Sequence, residues 1–239
     1  MDNQITVAIH QPNFMPWLGY FYKIWQSDIF IFLDDVQFIK TGSNYTNRVS
    51  INIAGQSNYL TIPIKRGNGV QQINKTQFLN EKWKKKFIGT LQANYAKSPY
   101  FNQNREFIFE LINFESDNLA DYNINFITAI SKKLNLNTEF KKSSEFHIET
   151  ESTQRLIELI KAVNGGSYLS GEGGDNYQEH QRYKDEKITL LYNQMPTFYY
   201  EQPKAEEFIQ GLSIIDTILN IGFDNLQCNL FSEKREETA

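Results

Sequence analysis

The sequence predicts an α/β protein of three layers: a mainly parallel sheet with helices on both faces and a helical segment in the middle of the chain. Three observations predict it. Strand-like runs recur at 5–9, 29–34, 59–64, 138–141, 167–170 and 188–192, and those at 5–9 (ITVAI) and 29–33 (IFIFL) lack the polar alternation of a half-exposed strand. Stretches with apolar residues at helical spacing separate most of these runs. Polar residues cluster just past the first two runs, and in open α/β sheets ligands bind beyond the carboxyl ends of parallel strands.

The elements follow in order. After the strand at 5–9, Pro12 and Pro16 punctuate a polar loop that begins His10-Gln11-Pro12-Asn13. Pro16 stands where a helix can start, because the N–H it lacks has no helical partner there. Trp17, Tyr20, Phe21 and Ile24 then recur at helical spacing. The second strand ends on Asp34-Asp35. Residues 36–50 read as a polar loop on the same rim as His10. Residues 51–53 read as a short edge strand before an Ala-Gly turn, and 58–65 (NYLTIPIK) as a β-branched strand that delivers Lys65 and Arg66 to its end. From 80 to 136 the chain is mostly helical, an insert or a cap over the sheet rim. Its first helix sets Trp83, Phe87 and Leu91 on one face among a lysine cluster at 82–86 expected to face solvent. A break centres on Pro99. Of two further helices, the second carries the stripe Leu119, Tyr122, Phe126, Ile130 and Leu134. A helix over 153–163 closes on Asn164-Gly165-Gly166. The strand at 167–170 runs into Gly171-Glu172-Gly173-Gly174-Asp175, and a last helix at 212–219 is ended by Asn220 and Gly222. Residues 1–232 are expected to form a single domain, and the charged 233–239 a disordered tail.

Composition narrows the function. The 239 residues carry a net charge of −4, which does not suit a general nucleic-acid binder. Eighteen Phe and thirteen Tyr supply an aromatic-heavy core and material for an aromatic pocket. A single cysteine, Cys228, excludes an internal disulfide framework and any multi-cysteine metal site, and reads as structural. No apolar run approaches the roughly 18 residues that span a bilayer. The start MDNQITVAIH passes straight into a strand without a basic region, so it does not read as a signal peptide, and a reducing cytoplasm is expected.

The run AIHQPNFMPWLGYFYKIWQSDIFIFLDDVQFIK resembles the opening signature of the WbqC-like family. The resemblance continues through TNR (46–48), YLTIPIK (59–65), YLSGEGGDNY (168–177) and LSIIDTILNIG (212–222), and so covers nearly the whole chain. It implies a role in O-antigen or other surface-polysaccharide assembly, with transfer of an amino acid as the suggested activity. A second comparison is with nucleotidylyltransferases, which place His-x-Gly-His between first strand and first helix. Here that place holds Trp17-Leu18-Gly19-Tyr20. The strand–loop–helix shape is similar, but both histidines are missing, and with them the groups that would stabilise phosphates in transfer.

The candidate site residues are those at strand ends. His10 could act as a general base or orient a phosphate, with Gln11 and Asn13 beside it in the loop. Asp34 and Asp35 could hold an amino group, accept a proton or bind a divalent ion. Lys40, Asn47, Arg48 and Lys65 form an anion-binding set, since a guanidinium fork suits phosphate or carboxylate. Trp17 and Tyr20 would wall the pocket. The glycine-rich turn lacks the Lys-Ser/Thr of a P-loop and the spacing of a dinucleotide fingerprint, so it assigns no cofactor. Its acids suit a hydroxyl-rich or amino ligand, which gives Glu172, Asp175 and Tyr177 the sugar hydroxyls. Ser170 would line the pocket, or act as a nucleophile if a base activated it. His147 and His180 sit in polar surroundings and are expected to be exposed.

These readings converge on an enzyme that transfers an aminoacyl or acyl group to a nucleotide-linked amino sugar. Arg48, Lys40 and Lys65 would hold the diphosphate, His10 would take the acceptor's proton, and Asp34 or Asp35 would orient it. A non-catalytic binder of a sugar nucleotide or a partner enzyme, and a nucleotidyltransferase-like enzyme, are the alternatives. The first reading requires His10, the paired aspartates and Arg48 to open onto one cleft.

Overall fold

The computed structural model describes residues 4–39, 45–67, 69–171 and 179–232. Its centre is strand β1 (Thr6–His10), which pairs in parallel with β2 (Ile29–Phe32) on one side and with β6 (Ser167–Ser170) on the other. Outside them β5 (Glu139–Lys142) pairs in parallel with β2, and β7 (Thr189–Tyr192) with β6. The order β5-β2-β1-β6-β7 reverses direction between β1 and β6. This is a doubly wound sheet whose ligand-binding crevice is expected at that reversal. The anticipated α/β architecture is therefore the one observed.

Alternation of side chains assigns the two faces. Val7, Ile9, Ile29, Ile31 and Tyr168 pack against Ile157 and Ile160 of helix α5 (Ser152–Ala162) and Tyr183 of α6 (His180–Asp185). Ala8, Phe30, Phe32 and Leu169 face the larger core. It is built from α1 (Leu18–Gln26), α2 (Lys82–Tyr95), α3 (Phe101–Asn113), α4 (Leu119–Lys133), α7 (Ile214–Ile221) and α8 (Phe223–Leu230). His10 shares its parity with Ala8 and so looks toward this second layer.

The run NYLTIPIK joins a separate pair of strands, not the main sheet. β4 (Gln56–Thr61) pairs antiparallel with β3 (Arg48–Ile53) across the Ala54-Gly55 turn. Both turn residues have positive φ, 54° and 88°. A Cβ on Gly55 would lie 2.1 Å from the Lys204 carbonyl oxygen, so both conformation and space demand glycine.

The helical stretch fixes the loop after β1. Phe14 inserts edge-on between Trp83 and Phe87 of α2, at centroid distances of 5.8 and 5.7 Å. Asn123 of α4, fully buried, donates to the carbonyls of Pro12 (2.8 Å) and Thr46 (2.7 Å). Within the lysine cluster Lys84 is buried, not solvated; its ammonium donates to the Phe114 carbonyl at 2.8 Å and pairs with Glu81. α8 follows the helix expected to be last. Its apolar Phe223, Leu226 and Leu230 are buried, while Cys228 is exposed on it and does not pack in the core. No helix among the described residues is long and apolar enough to cross a membrane.

Candidate active site

A cavity of about 650 Å³ opens where the strand order reverses. The end of β1 supplies His10, the end of β6 supplies Gly171, and Asn193 follows β7. Helix α1 contributes Leu18, Gly19, Tyr20 and Lys23, with Trp17 at its N-cap. The roof is the strand-free segment 193–212, which brings Met195, Phe198, Tyr200, Phe208 and Leu212, and Thr217 of α7 closes the side. Mostly apolar walls with a few convergent polar groups are the usual make-up of a small-molecule pocket of this size.

His10 Nδ1 lies 3.0 Å from the Gln11 carbonyl. A carbonyl only accepts, so Nδ1 carries the proton of the neutral ring and Nε2 keeps the lone pair. The ring meets Tyr20 edge-on at 4.9 Å and Trp17 at 6.3 Å. Burial, then the positive charge of Lys23, pulls the imidazole down from 6.5 to about 4. It is therefore neutral at pH 7. The Tyr20 hydroxyl donates to the same Gln11 carbonyl at 2.8 Å, and burial raises its pKa well above the usual value. Tyr20 acts as a wall and a clamp on the loop.

Lys23 was not singled out from the sequence. It is 4% exposed, and its ammonium donates to the Ile9 carbonyl at 3.0 Å. Helical side chains lean toward the N-terminus, which carries Lys23 back over Gly19 to the end of β1. No acid pairs with it among the described residues. Burial lowers its pKa from 10.5 to about 7. A signal was available: α1 up to Trp25 carries no other charged or amide side chain (LGYFYKIW), such a helix is buried, and its lysine is buried with it.

Behind the roof lies a second unforeseen group. Asp216 of α7, with no exposure, accepts from the hydroxyls of Tyr95 and Tyr200, each at 2.7 Å, and from Gln202 at 3.4 Å. Burial raises its pKa against those hydrogen bonds. Through Tyr200, which also accepts from Thr217 at 3.1 Å, this carboxyl tethers the roof to α7.

The other expected residues are dispersed. Asp34 is 3% exposed and accepts from Ser144 N (3.0 Å), Ser144 Oγ (2.7 Å), Ser143 Oγ (3.2 Å) and Asn74 Nδ2 (3.3 Å). Asp35 pairs with Arg155 at 2.6 Å. The two aspartates tie the exit of β2 to the turn after β5 and to α5, and neither lines the cavity. Arg48 lies over the Tyr59 ring at 4.6 Å, Asn47 donates to the Ile62 carbonyl at 3.0 Å, and Lys65 donates to Gln77 at 3.1 Å; all three are part of the hairpin region. Ser170 has the parity of Tyr168, on the α5 side, and its hydroxyl donates to the Gly171 carbonyl at 3.2 Å. Gln11 accepts from Thr46 at 3.5 Å and Asn13 is buried. Lys40, Glu172, Asp175 and Tyr177 lie outside the described residues. The structure thus gathers His10, Trp17 and Tyr20 at one cavity that Asp34, Asp35 and Arg48 do not line, so the shared cleft expected of all these groups is not found and His10 stands there without them. His147 and His180 are exposed, as expected.

Fold and cavity together define a doubly wound α/β protein with a cavity at its topological switch point. The chain belongs to the WbqC-like protein family, whose model matches residues 11–228. It is also 26% identical over 218 residues to a Mycobacterium tuberculosis protein described as uncharacterized protein Rv1507c, covering 90% of this chain and 94% of that one. No solved structure matches it.

Proposed function

We propose that this chain transfers an acyl or aminoacyl group onto a nucleotide-linked amino sugar in the cytoplasmic steps of surface-polysaccharide assembly. The observation that carries the reading is His10: an imidazole neutral at pH 7, with its Nε2 lone pair unused by the Gln11 contact, in the lining of the switch-point cavity. In the reaction the acceptor nitrogen attacks the acyl carbonyl. The new C–N bond forms, the bond to the leaving group breaks, and His10 Nε2 takes the amine proton and returns it to the leaving group. Trp17 and the aromatic roof supply flat apolar faces for a sugar or a base. The family name supports the pathway.

The test is incubation of the full chain with nucleotide-linked amino sugars and activated acyl or aminoacyl donors, with product read by mass spectrometry. His10→Gln should lower kcat by about 10²–10⁴. Unchanged turnover in that variant removes His10 from the chemistry. One feature favours a second reading, a binding protein without catalysis: among the described lining residues no carboxylate stands beside His10 to orient it. That reading expects saturable binding and no product with any donor.

A further inference from the structure

The cavity is lined by a buried lysine with no acid beside it among the described residues. An ammonium has three N–H donors. Lys23 gives one to the Ile9 carbonyl, is 4% exposed, lines the cavity, and has no acid partner among the described residues. A buried charge of this kind is costly unless something pairs with it, and structures that keep one use it.

The surroundings repeat the preference for negative charge. Leu18 and Gly19, the first residues of the nine-residue helix α1, line the same cavity. Trp17 at the N-cap offers no side-chain acceptor, and no acid stands in the first turn. The positive end of the helix dipole therefore lies at the cavity without a side-chain cap, with the Tyr20 amide held by the Trp17 carbonyl at 3.0 Å. A Cβ on Gly19 would crowd the Trp17 indole at 3.1 Å, so glycine lets that ring pack over the start of α1. A cation and a helix N-terminus acting on one point are the usual equipment for phosphate. The remaining walls are aromatic and apolar, suited to a base or sugar attached to that phosphate.

We infer that Lys23 and the N-terminal turn of α1 form a phosphoryl-binding recess, and that the diphosphate of a nucleotide-linked substrate seats there and not on Arg48 and Lys65. The inference rests on the reading of the cavity as a nucleotide-sugar site and deepens it. It moves the anion from the hairpin, where Arg48 lies over Tyr59 and Lys65 bonds Gln77, to the switch point of the sheet. It also places the phosphate next to His10, so that a sugar linked to it reaches the base.

Calorimetry on the full chain tests it with three probes: inorganic pyrophosphate, UDP and uridine. UDP and pyrophosphate should bind the wild type, uridine at least tenfold more weakly than UDP. Lys23→Met should lose at least tenfold for both phosphate-bearing probes while keeping its circular-dichroism spectrum and melting no lower than the wild type. Uridine binding as tightly as UDP overturns the inference, as does a folded Lys23→Met variant with wild-type pyrophosphate affinity, or a wild type that binds neither phosphate-bearing probe. The two readings fail separately. Lys23-dependent phosphate binding with no product from any donor removes the transferase and leaves the recess. Product formed at wild-type rate and KM by Lys23→Met removes the recess and leaves the transferase.

Discussion

Replacing Lys23 with methionine should make the unliganded protein more stable. The side chain is 4% exposed and makes one hydrogen bond among the described residues, to the Ile9 carbonyl. Burial takes its pKa from 10.5 to about 7. At about 1.36 kcal/mol per pKa unit, that puts a penalty on the order of 5 kcal/mol on the charged form. At pH 7 the lysine of the unfolded chain is fully protonated, so nearly all of this penalty weighs on folding. Methionine has similar length and no charge. It leaves the Ile9 carbonyl without its donor, which costs about 1–3 kcal/mol. The net expectation is a gain of about 2 kcal/mol, within the range seen when buried ionic groups give way to apolar ones. For a chain of this size that raises Tm by about 4–8 °C. The pH dependence follows from linkage. Below pH 7 both states hold the proton and the penalty is constant; between about 7 and 10.5 the unfolded state binds more protons, so wild-type stability climbs with pH. Lys23→Met lacks that climb. Denaturant unfolding at pH 7 and pH 9 measures both effects. A variant less stable than wild type at pH 7, or one that keeps the same climb, refutes the view that Lys23 is a strained, unbalanced charge.

Three further outcomes follow from the same geometry. His10 titrates near 4 in the folded protein and near 6.5 unfolded, so wild type should lose up to about 3 kcal/mol as pH falls from 6.5 to 4, and His10→Gln should lose correspondingly less in urea titrations. Tyr200→Phe removes a 2.7 Å hydrogen bond to the buried Asp216 carboxyl; it should cost about 2 kcal/mol and, by freeing the roof, raise the exchange rate of amides in 193–212. Gly55→Ala should cost about 2–4 kcal/mol because its φ is 88° and a Cβ would strike the Lys204 carbonyl, whereas Gly69→Ala, with φ of 82° but no described atom within 4 Å of the added Cβ, should cost only about 1 kcal/mol. Equal costs in thermal melts would show that conformation alone, without the clash, sets the price.

What could be read in advance was whatever depends on near neighbours in the chain. β1 and β2 were legible because a strand buried on both faces needs an uninterrupted apolar run, and ITVAI and IFIFL are such runs. His10 was legible because it follows one of them. The same logic misplaced Asp34 and Asp35, which also end a strand. Their partners Ser143, Ser144 and Arg155 lie 108 to 120 residues away, and local pattern carries nothing about them. NYLTIPIK looked like a sheet strand because β-branched content reports extended backbone, not its partner. In the fold Tyr59 is 54% exposed and, among the described residues, β4 pairs only with β3. The roof at 193–212 has no periodicity to read, yet it makes the cavity. α8 was within reach, since Phe223, Leu226 and Leu230 recur at helical spacing just past Gly222.

The two bases on the cavity floor are coupled, and that coupling gives the proposed chemistry an order. His10 is held near 4 first by burial and second by the charge of Lys23. An anion seated on Lys23 offsets that charge and leaves the burial in place. His10 should therefore rise from about 4 toward 6.5 without reaching it when pyrophosphate binds. A stronger base accepts a proton more readily in the transition state, so the imidazole gains strength only once the phosphate is home. Carbon-bound ring protons of the three histidines report this by NMR titration, with exposed His147 and His180 as internal controls. A His10 pKa that stays put while pyrophosphate occupies the site would break the link between anion and base, and with it the reason for placing both groups at the end of β1.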